Sequence, residues 1–168
     1  MAFLDEIESC VPALRRYARA LTRNADRADD LVQDCLERAI RKRGLFAPTG
    51  PMRAWLFRIL VNLWRNGARS EQRRGEHVPL HSLVVEPAVA PTQPGWIALG
   101  EMSRAIERLP DEQRETLLLV VLEGVSYEEA GRILGVPVGT VMSRLSRARA
   151  ALRVSTGSGE EPRLRSIK

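Results

Sequence analysis

Apolar residues recur at spacings of three and four along most of this chain, the period of helices that bury one face. No stretch shows the strict alternation of a strand. Over residues 3–22 the stripe is Leu4, Ile7, Val11, Leu14, Ala18 and Leu21, with Arg15, Arg16, Arg19 and Arg23 lying off it. Pro12 either kinks this helix or starts a second one. The turn Asn24-Ala25-Asp26 opens a helix with Asp26, Asp29 and Asp30 at its positive end and Arg41, Lys42 and Arg43 at its negative end, and Gly44 as a stop. Its expected core face is Leu31, Cys35, Leu36, Ala39 and Ile40, which leaves Gln33, Asp34 and Glu37 on a more exposed side. After a turn-rich loop over residues 45–51, a long helix is predicted from Met52 to Arg74. Its apolar positions include Met52, Trp55, Leu56, Ile59, Leu60 and Leu63.

From Gly75 to Ser103 there is no lysine or arginine, and Pro79, Pro87, Pro91 and Pro94 interrupt the pattern. So long a stretch is unusual inside one compact domain, so residues 76–95 read as a linker between domains 1–75 and 96–153. The second domain opens with a helix to Leu109 carrying Trp96, Leu99, Met102 and Ile106. Pro110 and Asp111 start another, and its run Leu117 to Leu122, apolar all round, is expected to be the central buried helix. Ser126 and Glu129 form an S-x-x-E capping box before a short helix over Tyr127–Leu134, which Gly135 stops. Pro137 enters a last helix whose buried face is Val138, Val141, Leu145, Ala148 and Leu152. Two short helices, a tight glycine turn and a basic second helix are the pattern of a helix-turn-helix. Residues 154–168, rich in Ser, Gly, Glu and Arg, are expected to be a disordered tail. The fold class is therefore all-α, two small helical domains on a flexible linker.

Charge narrows the choice of partner. The 168 residues carry a net charge of +5, mostly through arginine, which points to a polyanion and first to nucleic acid. Arg53 to Arg74 holds six arginines and one acid, Glu71, with Trp55, Phe57 and Trp64 among them. Cations interleaved with rings suit single-stranded nucleic acid, while core packing is the alternative for each ring. The last helix has no acid between Pro137 and Arg153 and shows Thr140, Ser143, Arg144 and Arg147 on its polar side. No apolar run approaches the roughly 20 residues of a membrane span, and acids stand where a signal peptide is basic, so a cytoplasmic protein is expected. Cys10 and Cys35 read as small buried hydrophobes. His77 and His81 lack the further ligands a metal site requires.

Three stretches, DRADDLVQDCLERA from Asp26, LF…RAWLFRILVN from Leu45, and LPDEQRETLLLVVLEGVSYEEAGRILGVPVGTVMSRLSRARAAL from Leu109, resemble the extracytoplasmic-function (ECF) sigma factors of the sigma-70 family. The resemblance implies a promoter-specificity subunit of bacterial RNA polymerase, with no active site, cofactor or small-molecule substrate. Asp30, Gln33, Asp34 and Glu37 match a face that docks on the clamp helices of the largest polymerase subunit, and the second lobe would meet the flap. Phe46, Ala47, Thr49, Gly50, Met52 and Asn62 match a pocket for a base flipped from the minus-ten element. Trp55 falls at the edge of the opening duplex, and Arg58, Arg65, Asn66 and Arg69 lie along the same helix toward the strand. Thr140, Ser143, Arg144 and Arg147 match a reader of the minus-thirty-five element. An inhibitory anti-sigma partner is implied as well.

Two other readings compete. A dimeric helix-turn-helix regulator would use only residues 124–153. An enzyme finds no metal-ligand set, phosphate-cradling glycine loop or nucleophile triad.

Overall fold

Local signals set most of the helix ends in the computed structural model, which describes residues 3–45, 50–74 and 94–157. Helix α1 spans Phe3–Thr22 and ends where Arg23 takes a left-handed φ of 57°. Asn24 caps α2, Ala25–Arg41, its side chain accepting from the Arg27 N–H at 2.9 Å. Helix α2 gives way to a 3-10 turn, Arg43–Leu45, and α3 then covers Met52–Arg74, the span its periodicity predicts. Helix α4 is Pro94–Glu107, and α5, Asp111–Leu117, continues into a π-helical segment, Leu118–Leu122. The helix-turn-helix is α6, Tyr127–Leu134, and α7, Val138–Ser155. All regular structure among the described residues is helical.

The first lobe packs α1, α2 and α3 around Leu14, Tyr17, Leu21, Cys35, Leu56, Phe57 and Leu60, each fully buried. Tyr17 meets Phe57 edge to face at 5.2 Å between centroids, a favoured aromatic arrangement. Cys35 donates to the Leu56 carbonyl at 3.4 Å, and burial pushes its thiol up to about 12, so it stays a neutral core residue. Cys10 is likewise buried and free. The second lobe packs α4, α5 and α6 on α7, with Val141, Leu145 and Ala148 of α7 buried.

Four expectations are corrected. Pro12 does not start a second helix: it sits inside the continuous α1 on the exposed side, where water can reach the Glu8 carbonyl it leaves without a donor. Ile40 is 45% exposed rather than core, because Ala39 takes the buried place at the end of α2 and Ile40 joins Phe3 and Leu4 in an open groove. The run Leu117 to Leu122 is not buried all round. The Glu123 N–H reaches back five residues to Leu118, and this wider turn leaves Val121 65% and Leu122 39% exposed. Helix α7 runs two residues past Arg153, to Ser155, and Thr156 caps it on the Leu152 carbonyl. The histidines, most of the linker and residues 158–168 lie outside the described residues.

Candidate functional site

The long helix α3 exposes one continuous polar row. Arg58, Asn62, Asn66 and Arg69 all face solvent at spacings of three and four, with half-buried Trp55 one turn before them. Trp55 packs on the first-lobe core and meets Phe3 at 6.4 Å, leaving part of its ring at the surface. Trp64 packs against the same core. Gly67 does not break the helix. Gly50 is exposed, whereas Phe46, Ala47 and Thr49 lie outside the described residues. Met52 is only 2% exposed, so its side chain is spent on the core rather than offered to a base.

A second row lies on α2. Asp30, Gln33, Asp34 and Glu37 are all exposed, and Gln33 donates to Glu37 at 3.2 Å. This places three carboxylates and an amide on adjoining turns of one helix face.

The helix-turn-helix is held by short-range geometry. Ser126 accepts from the Glu129 N–H at 3.2 Å, Gly135 takes φ 69°, and a Cβ on Gly131 would come within 2.9 Å of the Val136 carbonyl oxygen. Only glycine lets the turn fold back so closely on α6. On α7, Arg147 is exposed and Thr140 and Ser143 are half-buried. Arg144 is 12% exposed and pairs with Glu112 at 3.1 Å, so it braces α5 against α7. Exposed Met142 and Arg149 lie on the accessible surface of α7 and were not singled out by the sequence pattern.

The sequence pattern also gave no sign of the seam between the lobes. Glu123 is buried beneath a fork from Arg16, with Nε to Oε1 at 2.9 Å and Nη2 to Oε2 at 2.7 Å. Arg53 reaches the same carboxylate at 2.7 Å and the Glu123 carbonyl at 2.8 Å, and lies 5.4 Å over the Phe57 ring. Further along the seam, Arg65 donates to both oxygens of Glu115, from Nε to Oε1 at 3.3 Å and from Nη2 to Oε2 at 2.8 Å, and to the Leu134 carbonyl at 3.1 Å. Tyr17 donates to the Glu115 carbonyl at 3.1 Å, and Arg23 approaches Glu107 at 3.8 Å.

These pairs are unequal in hydration. Burial pushes the Glu115 carboxyl above its ordinary value, and the Arg65 hydrogen bonds offset part of that. For Arg65 burial acts downward, but its bonds and charge attraction to Glu115 outweigh it. Burial is the leading cause for both groups, and the acid is the more enclosed, with its side chain 2% exposed against 26% for Arg65. Tyr17, fully buried, is raised by desolvation and by the negative charge of Glu115.

Comparison with known proteins identifies this architecture. Residues 7–61 match the family described as the Sigma2 domain of PhyR, and residues 99–152 match Sigma-70, region 4. The chain is 43% identical over 148 residues to the ECF RNA polymerase sigma factor EcfG of Rhodopseudomonas palustris, covering 88% of this chain and 81% of that protein. It is 38% identical over 140 residues to the ECF RNA polymerase sigma factor SigM of Mycobacterium tuberculosis, covering 83% and 69%. Its fold is similar to the sigma factor RpoE of Bartonella quintana, solved in complex with the anti-sigma factor NepR, with a TM-score of 0.79, 34% identity and coverage of 94% and 98%. All-helical, with a region-2 lobe and a region-4 lobe, the chain belongs to the ECF RNA polymerase sigma factors.

Proposed function

We propose that this sigma factor docks on core RNA polymerase through Asp30, Gln33, Asp34 and Glu37, reads the minus-thirty-five element with α7, and melts the minus-ten element along α3. The observation that carries the melting role is the exposed row Arg58, Asn62, Asn66 and Arg69 beside the Trp55 ring. Unpairing a base costs a few kcal/mol, and a stacking contact recovers about 1–3 kcal/mol. An amide such as Asn62 both donates to and accepts from a base edge, which suits it to discriminate the captured base. The loop with Phe46, Ala47, Thr49 and Gly50 completes this pocket in the proposed reading. Opening is then driven by binding, with no cofactor and no hydrolysis.

On α7, Arg147 meets the backbone or groove, and Thr140 and Ser143 support it. Most such bonds go to phosphate and set the register. Arg144, braced on Glu112, orients α7 rather than leading the contact. The Bartonella relative's complex with NepR supports a regulatory anti-sigma partner for this chain too, acting in the cytoplasm.

The test is reconstitution. Purified chain added to core polymerase on a linear promoter template is expected to give initiation at one defined start site. Tight binding to palindromic duplex without polymerase, and no initiation with it, would instead make the chain a dimeric regulator.

A further inference from the structure

Trp55 heads the exposed row of α3, and a ring from another helix flanks it. Phe3, the first residue of α1, packs on Trp55 with ring centroids 6.4 Å apart and planes tilted by 59°. Rings at that separation and tilt meet edge against face, so the pair favours a limited set of relative orientations. Phe3 is half-buried and rests on the first-lobe core, so its own ring is supported from behind. Trp55 thus has core packing beneath it and an aromatic brace beside it, while part of the indole stays at the surface.

The surroundings of Phe3 show what the brace prevents. Phe3 also lines an open groove with Leu4, Ile40 and Arg43, in which Leu4 is 61% and Ile40 45% exposed. A tryptophan at a surface turns about two side-chain torsions, and uncovered apolar surface nearby attracts its large ring, because contact removes area of both from water. Phe3 touches the groove and Trp55 alike, so its ring fills the space between them. A smaller residue at position 3 joins the two. The indole then gains more cover by turning toward Leu4 and Ile40 than by standing at the head of the row.

We propose that Phe3 is a positioning residue for promoter opening: it holds the Trp55 ring at the surface of α3, in the orientation that stacks on the edge of the opening duplex. Phe3 touches no DNA in this account, and its effect passes wholly through Trp55. Two physical terms carry the effect. A ring that lies in the groove part of the time lowers the apparent affinity by the fraction of time it is absent from the site. A ring already set in place also loses less of its stacking gain to ordering. The inference rests on the melting role proposed for α3 and adds a residue of α1 to that site.

The experiment is a double-mutant cycle with the full chain bound to core polymerase, on a duplex promoter carrying 2-aminopurine in the minus-ten element as a reporter of unstacking. The forms are wild type, Phe3→Ala, Trp55→Leu, the double variant, and Phe3→Tyr, which keeps the ring. Thermal melting and polymerase binding are measured for each. Phe3→Ala is expected to slow opening roughly three- to tenfold, the worth of one aromatic pair, with polymerase binding unchanged. Phe3→Tyr should open at close to the wild-type rate. With Trp55→Leu already present, Phe3→Ala should add less than about twofold. Phe3→Leu, which keeps apolar volume without a ring face, carries the same test if Phe3→Ala loses its cooperative melting. Opening by the position-3 variants as fast as wild type overturns the inference. An equal loss in the Trp55→Leu background also overturns it, because Phe3 then acts on the fold and not through the ring. So does opening that survives Trp55→Leu at full rate. If wild type itself opens no promoter, the proposed function has failed, and the positioning role falls with it.

Discussion

Both lobes have apolar cores, but they differ in the charge they bury. In the first, the buried described residues are apolar or aromatic, from Ile7 through Val61. In the second, Arg114, Glu115, Thr116 and Glu123 are buried, all on the stretch that begins α5 and ends after the π-helical turn. Arg114 is lowered by burial and leans on Asp111 at 2.7 Å, while the two glutamates face arginines of the other lobe. An apolar core tolerates no half-open state at reasonable cost, whereas a surface of buried ions regains hydration when it parts. The first lobe is thus built as an apolar platform for α3, and the second carries buried carboxylates that pair with arginines of that platform.

Substitutions separate these roles by size. Phe57→Ala removes a fully buried ring from the first lobe and should cost about 3–5 kcal/mol in chemical denaturation. A loss below about 1 kcal/mol would mean that the platform is not rigid. Gly131→Ala forces a Cβ to within 2.9 Å of the Val136 carbonyl and should cost about 1–3 kcal/mol, weakening duplex binding through the distorted turn. Ser126→Ala, which loses only the α6 cap, should cost about 1 kcal/mol.

Glu115 adds a pH signature. Its carboxyl is raised in the folded chain, so the folded state takes up the proton before the unfolded one does. Its contribution is therefore fully present below the ordinary carboxylate value and is lost as pH rises through the raised one. Unfolding of wild type relative to Glu115→Gln should show wild type gaining as pH falls from neutral through that window. A flat difference would place Glu115 in water. Asn62→Ala, at an exposed position, should leave stability within about 0.5 kcal/mol.

What could be read from the sequence was local. The bounds of α3 and α6 follow from periodicity and caps, Met52 to Arg74 and Ser126 to Gly135, because those signals lie within a few residues of what they fix. The exposed rows on α2 and α3 were legible for the same reason. The seam was not, since Arg16 and Glu123 are 107 positions apart and nothing in either neighbourhood encodes the pairing. The π-helical turn was hidden as well: LLVVL fits a buried α-helix, and only the pull of Glu123 toward Arg16 and Arg53 accompanies the wider turn. Arg65 and Arg144 read as free cations from charge pattern alone, because their partners Glu115 and Glu112 lie on another helix.

The most direct measurement is permanganate reactivity of unpaired thymines in the minus-ten element, with core polymerase programmed by wild type or by Asn62→Ala. The account predicts strong reactivity with wild type, and a several-fold loss with Asn62→Ala while polymerase binding is kept. Equal reactivity from both proteins across promoter variants would contradict the claim that the exposed row of α3 captures the base.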